Sequence, residues 1–546
     1  MKLVLIQPPV EDFYDTPIRL QPIGLAYLKA AVARHVPGVD VVIKDFHHRG
    51  GKRSLPLPED LADLREYFPW PDRSPFSSFY QYYHFGASFE AIAEEVARER
   101  PDLVGISSLF SPYFREVFRC AEEIRKRIAV SIIVGGSHPS AVPEMTSQHP
   151  SIDFVIRGEG ERPLVEFLKA WIRGDDVDHI PNLAYKKNGA MVLNPLCEPF
   201  PPDELPMPDL SDFPLEEYCL EGRPLCFVIT SRGCPYRCSF CSAHLTFGTR
   251  YRRRSTESIV KEIKCRYEEG YRVFDFEDDN LTVATDEVKS LCRQLIQTFP
   301  AGEVRLLAMN GIFYGNLDGE LLLLMKQAGF SHLNLSLVSL DPEVNRTMRR
   351  PFDYGKYRET VCEAARLGFK IVSYQILGLP GESVTSMVQT LSFSARLPVL
   401  LGASPFYLCP RTPAAEFFPP LGERDIFRAR LTAMGMDLPE CTKEEVYTLF
   451  ITTRIINFLK GIPFEDTEIP LTTALEIART RGTRSGTGVE IFERLVAEKQ
   501  LFAATKQGFK PLPKFKVPLF FDVWSTLDRI GTQTNKTIAI DQSIFR

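Results

Sequence analysis

The chain has 546 residues, 44% of them hydrophobic and 25% charged, a balance that leaves room for several cores and excludes an intrinsically disordered chain. Lysine and arginine total 65 against 70 aspartates and glutamates, a formal charge of −5, which argues against a domain dedicated to nucleic acid. The apolar stretch Leu397–Pro410 is bounded by Arg396 and Arg411, well short of the roughly 20 residues a transmembrane helix needs, so no membrane span and a cytoplasmic location are expected.

The N-terminus reads as a strand, Leu3–Gln7, stopped by Pro8 and Pro9, and not as a secretory signal. Helical spacing over Pro22–Val32 leads to a second strand, Val39–Asp45. Helix Phe89–Arg98 precedes strand Asp102–Ser108, and helix Val117–Ile128 precedes strand Ser131–Gly136. Strand Phe154–Ile156 then runs through Gly158-Glu159-Gly160-Glu161 into helix Pro163–Ile172. Continuous apolar strands between amphipathic helices predict an α/β domain over residues 1–190, a flavodoxin- or Rossmann-like parallel sheet covered on both faces. Such sheets bind ligands beyond the carboxyl ends of their strands, so the loops after Gln7, Ile106, Val134 and Ile156 are the ones to watch. The aromatic-rich connection Gly50–Ala87 interrupts the alternation; it reads either as an insertion with a small core of its own or as a substrate lid.

A proline-rich linker over 191–220 separates this domain from a second βα series over 221–420. Its strand candidates are Leu225–Thr230, Val273–Glu277, Val304–Met309, Leu333–Val338, Lys370–Leu377 and Ser404–Leu408. Helical patterns between them, from Thr256–Glu268 to Val384–Leu397, predict a partial (β/α)6 TIM-like barrel with its chemistry at the strands' C-terminal ends. Residues 421–546 read as mainly helical, and the aromatics Phe509, Phe515, Phe520, Phe521 and Trp524 suit either a helical core or a cover over an apolar substrate.

Of twelve cysteines, nine stand singly and three are bunched at Cys234, Cys238 and Cys241, a pattern of metal or redox chemistry and not of a disulfide framework. Zinc sites usually take four protein ligands, whereas three thiolates on one C-x3-C-x2-C loop suit an iron–sulfur cluster with one iron left open. The alternative is a closed site that borrows a remote cysteine. Cys409 reads either as a second redox-active thiol or as buried structure.

The segment Thr230-Ser231-Arg232-Gly233-Cys234-Pro235-Tyr236-Arg237-Cys238-Ser239-Phe240-Cys241, placed after a first barrel strand, resembles the radical S-adenosylmethionine superfamily. The resemblance implies that Cys234, Cys238 and Cys241 hold a 4Fe–4S cluster, and that S-adenosylmethionine chelates its open iron. One electron then breaks a carbon–sulfur bond to give a 5′-deoxyadenosyl radical. Phe240 would lie near the adenine. Glu277, Asp278 and Asp279 end the second strand, where the family places polar groups near the methionine end, though a helix-capping turn is an equal reading. Gly378-Leu379-Pro380-Gly381-Glu382 resembles the family's loop around adenosine, and Ser336 lies at the fourth strand's end, where Val338 replaces a glutamate common in relatives. Arg252, Arg253 and Arg254 match an arginine-serine segment of the family and are too short a run for a nucleic-acid patch.

A flavodoxin-like sheet in front of such a barrel resembles the cobalamin-binding class of that superfamily, on the matches Gln21–Leu28, Pro101–Ser107, Val134–Gly136 and Arg157–Glu161. This implies cobalamin against Ser107, Ser108, Gly135, Gly136, His138, Gly158 and Glu159, where small residues let a bulky nucleotide tail approach the backbone. The run Asp45-Phe46-His47-His48-Arg49-Gly50 fits the D-x-H-x-x-G pattern of cobalt-ligating histidines, but after the second strand, so a surface turn is expected and no protein histidine beneath the cobalt. The implied activity is methylation of an unactivated carbon of a small-molecule or lipid-like substrate, with an electron donor such as flavodoxin or ferredoxin. The alternatives are cyclisation or rearrangement without methyl transfer, a sheet that no longer binds cobalamin, or a non-enzymatic iron–sulfur and cobalamin sensor.

Overall fold

The structure is a computed structural model that describes residues 1–14, 21–48, 50–430, 434–435 and 438–545. Arg49, within the His47 pattern, lies outside the described residues. The chain forms two compact units, each gathered from separate stretches: 1–56, 82–279 and 408–427 in the first, and 57–81, 280–407 and 428–546 in the second.

The first unit is built on a seven-stranded sheet of β1 (Lys2–Gln7), β2 (Asp40–Asp45), β3 (Leu103–Ser107), β4 (Ser131–Gly135), β5 (Phe154–Ile156), β6 (Leu183–Lys187) and β7 (Ala190–Leu193). The spatial order is β7-β6-β5-β4-β3-β1-β2; β1 to β5 are parallel, and β6 and β7 add an antiparallel edge that the apolar pattern did not announce. Leu3, Val4 and Ile6 of β1 are fully buried, as a strand covered on both faces requires. One face carries α2 (Phe89–Glu99) and α3 (Phe114–Arg127), whose Ile92, Val96, Val117 and Ile124 pack on Val4, Val104 and Ile132. Full burial of each such side chain contributes about 1.5–3 kcal/mol. Ser88 caps α2 by accepting from the Ala91 backbone N–H at 3.2 Å. The other face carries α1 (Ile23–His35) and α4 (Glu161–Arg173), which pack on one another. The chain leaves β1 for β2 on one side and returns to β3 on the other, so the strand order reverses between β1 and β3. The unit continues through the irregular proline-rich stretch to the parallel pair β8 (Arg223–Val228) and β9 (Val273–Phe276), joined by α5 (Thr256–Glu268).

The second unit holds the parallel sheet of β10 (His332–Val338), β11 (Lys370–Leu377) and β12 (Leu400–Pro405), with helices α6 (Thr285–Thr298), α7 (Gly319–Ala328), α8 (Tyr354–Arg366) and α9 (Val384–Arg396) close to their expected bounds. The sixth expected strand is a correction: it spans Leu400–Pro405 and not Ser404–Leu408. Leu401 and Ala403 are its buried positions, and Pro405, which lacks an N–H, closes the pairing, so Cys409 lies in the loop beyond. The last third of the chain adds α10 (Lys443–Lys460), α11 (Leu471–Arg479), α12 (Thr483–Glu498), α13 (Val517–Ser525) and short strand pairings between them. Its core joins Leu377, Leu391 and Leu401 to Ile455, Phe492, Phe520 and Trp524, so the terminal aromatics Phe520 and Trp524 are core. The long connection divides. Lys52–Leu55 and Tyr82–Phe85 pair antiparallel in the first unit. The aromatics between them enter the second unit's core, Phe68 lying 5.2 Å from Tyr447 and Phe76 5.6 Å from Phe458.

Candidate functional site

The cysteine loop follows β8 and is pinned from several sides. Asp278, just past β9, accepts from Thr230 Oγ1 at 2.7 Å and from the Ser231 hydroxyl, and Asp279 accepts from the Gly233 backbone N–H at 2.9 Å. Gly233 has φ +78°, and a Cβ there would stand 2.5 Å from the Arg250 carbonyl oxygen, so only glycine makes this turn. Ser231–Arg232 pairs antiparallel with Arg252–Arg253 and closes the loop's base. Cys238 is buried and Cys234, Cys241 and Phe240 are half-buried. Burial pushes the Cys241 thiol up to about 11, and the neighbouring Cys238, Asp279 and Cys234 add to the rise. Burial likewise raises Asp278 and brings Asp279 to about 6. Among the described residues no three His, Cys, Asp or Glu side chains converge as ligands of a single metal ion. Cys409 stands beside this loop: burial raises its thiol to about 12, with the Ser242 hydroxyl and Cys241 as neighbours, and the Ala414 N–H donates to the Ser239 carbonyl at 2.8 Å.

A cavity of about 220 Å³ opens at the carboxyl ends of β1, β3, β4 and β5, where the strand order reverses. Gln7, Ser107, Gly135, Gly136, Gly158 and Glu159 line it, with Arg232, Thr246 and Phe247 from the cysteine side of the same unit. Gly136 has φ +127°, and a Cβ on it would meet the Ser108 carbonyl oxygen at 2.4 Å. Gln7 Oε1, Gln21 Nε2, Ser108 Oγ and both ring nitrogens of His138 are buried without a protein hydrogen-bond partner. Each such orphan costs about 1–3 kcal/mol unless a ligand or water satisfies it. An apolar cavity walled by glycines, with the unpartnered Gln7 and Gln21 amides in its lining, fits a corrinoid, whose rim carries carboxamides; Ser108 and His138 are buried but are not among its lining residues. His138 stacks on Phe114 at 5.6 Å and burial pushes its imidazole down to about 3, so the ring is neutral.

One buried ion network ties the two features together. Arg232 donates to Glu159 at 2.7 Å and to Glu161 at 2.6 Å, and Arg252 pairs with Glu159. Arg232 guanidinium also lies over the Tyr27 ring of α1, 5.1 Å from its centroid. The Glu161 carboxyl, although buried, is held below the usual carboxylate range by Arg232. Sequence reasoning named Glu159 for cobalamin, read Arg252 only as part of an arginine-serine segment, and gave Arg232 and Glu161 no role of their own. Charged residues set inside otherwise small and apolar motifs were the available signal.

Two other expectations concern residues in turns. The His47 backbone N–H donates to Asp45 Oδ1 at 2.9 Å, and Asp45 Oδ2 accepts from the Tyr218 hydroxyl at 2.6 Å. The histidine is buried and not on the surface, a correction to the expected surface turn, because β2 feeds it beneath Phe85 and His48. In the second unit, Ser336 is held by Arg350, which donates to its carbonyl at 2.9 Å and its hydroxyl at 3.0 Å. A bulge follows, and Val338 takes φ +73°, a strained conformation for a β-branched residue. Gly378 has φ +80° and Gly381 φ +81°, and Pro380 is buried between them. Ser339 donates to Glu382 at 2.5 Å, and burial raises that carboxyl to about 7.

Comparison with known proteins matches residues 79–168 to the B12 binding domain and residues 228–394 to the Radical SAM superfamily. An uncharacterised methyltransferase of Pyrococcus horikoshii is 27% identical over 409 residues, 73% of this chain and 79% of its own. The cytidylyl-2-hydroxyethylphosphonate methyltransferase of Streptomyces wedmorensis is 24% identical over 436 residues, 72% and 77% of the two chains. Among solved structures, the radical S-adenosylmethionine methyltransferase TsrM from Kitasatospora setae shares the fold with a TM-score of 0.57 at 20% identity, over 76% of this chain and 74% of that one. The molecule is therefore an α/β protein that joins a B12-binding sheet to a radical S-adenosylmethionine domain. The chain carries the two domains whose pairing marks the cobalamin-binding class of the radical S-adenosylmethionine superfamily, and it is a radical S-adenosylmethionine enzyme. The cofactors of the class are S-adenosylmethionine, a 4Fe–4S cluster and cobalamin.

Proposed function

We propose that this enzyme methylates an unactivated carbon of a small-molecule or lipid-like substrate. When bound, the cluster with S-adenosylmethionine supplies a radical able to remove hydrogen from carbon, and the corrinoid supplies a carrier for the methyl group. The chain's own residues would hold and orient these groups. Cys234, Cys238 and Cys241 ligate the cluster on a loop braced by Asp278 and Asp279. Gln7 and Gln21, which line the cavity, would meet the corrinoid periphery, Ser108 and His138 are assigned there on the resemblance, and Gly135, Gly136 and Gly158 leave room for its tail. Phe240, Glu277, Ser336, Gly378, Pro380 and Gly381 are assigned to S-adenosylmethionine, with Val338 offering no carboxylate to it. The observation that carries the reading is the cavity of the sheet walled on one side by residues of the cysteine segment, Arg232, Thr246 and Phe247. Methyltransferase relatives that span more than three quarters of their own length support it. No helix among the described residues is long and apolar enough to cross a membrane. We assign the enzyme to the cytoplasm, with a one-electron donor of the flavodoxin or ferredoxin kind.

The test is anaerobic reconstitution, followed by incubation with S-adenosylmethionine, a strong reductant and candidate substrates. Methyl transfer yields S-adenosylhomocysteine together with 5′-deoxyadenosine. The second product alone would move the reading to cyclisation or rearrangement, and neither product would overturn it.

A further inference from the structure

We infer that the buried network of Arg232, Glu159, Glu161 and Arg252 couples the cobalamin cavity to the cysteine loop, so that a bound corrinoid slows the loss of iron from the cluster. The inference rests on the assignment of those two cofactors to the cavity and the loop. Glu159 lies in the turn after β5, Glu161 opens α4 directly behind it, and both line the cavity. They grip the two ends of one guanidinium, at 2.7 and 2.6 Å, and that guanidinium belongs to Arg232, two residues before Cys234. Arg252 takes the remaining oxygen of Glu159 from the strand paired with Arg232. The side chains of Arg232, Glu159, Glu161 and Arg252 are 7, 6, 7 and 11% exposed. Water therefore offers no substitute partner when the turn shifts, and a displacement at Glu159 passes to Arg232. Tyr27 blocks the guanidinium's other face, and its hydroxyl accepts from Arg254 at 3.3 Å. A corrinoid that fills the cavity immobilises the turn, and by reciprocity an intact cysteine loop strengthens corrinoid binding.

The experiment uses the full-length protein, reconstituted anaerobically with iron and sulfide. Iron release to a chelator is timed with and without hydroxocobalamin. In the parent protein the corrinoid should slow release by at least about 5-fold, the lower end of ordinary coupling between sites. Compared with the parent at matched loading of both cofactors, Glu161→Gln and Arg252→Gln should lose that protection, and Arg252→Lys should retain part of it. Protection of equal size in both glutamine variants, or none in the parent with both cofactors bound, overturns the coupling. A parent protein that takes up no corrinoid, or forms no cluster, refutes instead the assignment of the cofactors.

Discussion

Arg232 balances two buried carboxylates in the first unit. Its removal leaves Glu161 buried without its ion-pair partner and Glu159 with Arg252 alone, which is the costly way to break a buried network. Arg232→Met should destabilise the protein by about 3–5 kcal/mol, read as a lowered denaturant midpoint. Glu382 titrates where it can be measured. Burial holds its folded carboxyl at about 7 against 4.5 unperturbed. Between those values the unfolded chain has released a proton that the folded one keeps. Stability therefore falls as pH rises through the window, by up to about 3 kcal/mol, and is level above it. Glu382→Gln should flatten this slope, with urea midpoints at about pH 5 and about pH 7.5 as the measurement. His138 has the opposite sign: its folded value near 3 lies below 6.5, so its contribution is full above 6.5 and is lost as pH falls toward 3.

At the scale of elements, the middles of the strands are apolar core and their carboxyl ends line the cavity. β1 to β5 bury apolar runs, yet the segments that follow them carry glycine, serine and glutamine. Gly136 shows why: its φ of +127° and the Ser108 carbonyl 2.4 Å from a would-be Cβ leave no space for a side chain. Gly136→Ala should cost about 1–3 kcal/mol of strain and weaken hydroxocobalamin binding roughly tenfold, measured by titration of the absorption spectrum. The bulge at Val338 is the corresponding feature of β10. Elements with a strong period were legible in the chain: α5 spans Thr256–Glu268 and β11 spans Lys370–Leu377, as the spacing predicts. The shift of β12 was not, because Leu397–Leu408 is apolar on both sides of the true strand and Pro405 marks its end only once pairing is known.

Over the whole molecule, the two compact units are woven from the chain and do not follow one another along it. In the second unit, Leu377, Leu391 and Leu401 of β11, α9 and β12 share a core with Ile455, Phe492 and Trp524. A chain stopped after Pro420 would expose that apolar face. It should bind a hydrophobic dye and scatter light as aggregate where the full chain does neither. The aromatic connection contributes to the same core, and Phe68→Ala should destabilise by about 3–5 kcal/mol, checked by thermal unfolding.

The order of the domains, the parallel sheet and the cysteine trio were determined by the sequence itself, since hydrophobic periodicity and a C-x3-C-x2-C spacing are local and survive without neighbours. Only the tertiary structure decided that Arg232 faces Glu159 and Glu161, that Cys409 stands beside Cys241, and that Phe68 and Phe76 are core. Those partners lie far along the chain, 73 and 71 residues away for the two glutamates of Arg232. A buried charge meets a counter-charge because water is excluded from both, and no local pattern records which one it meets.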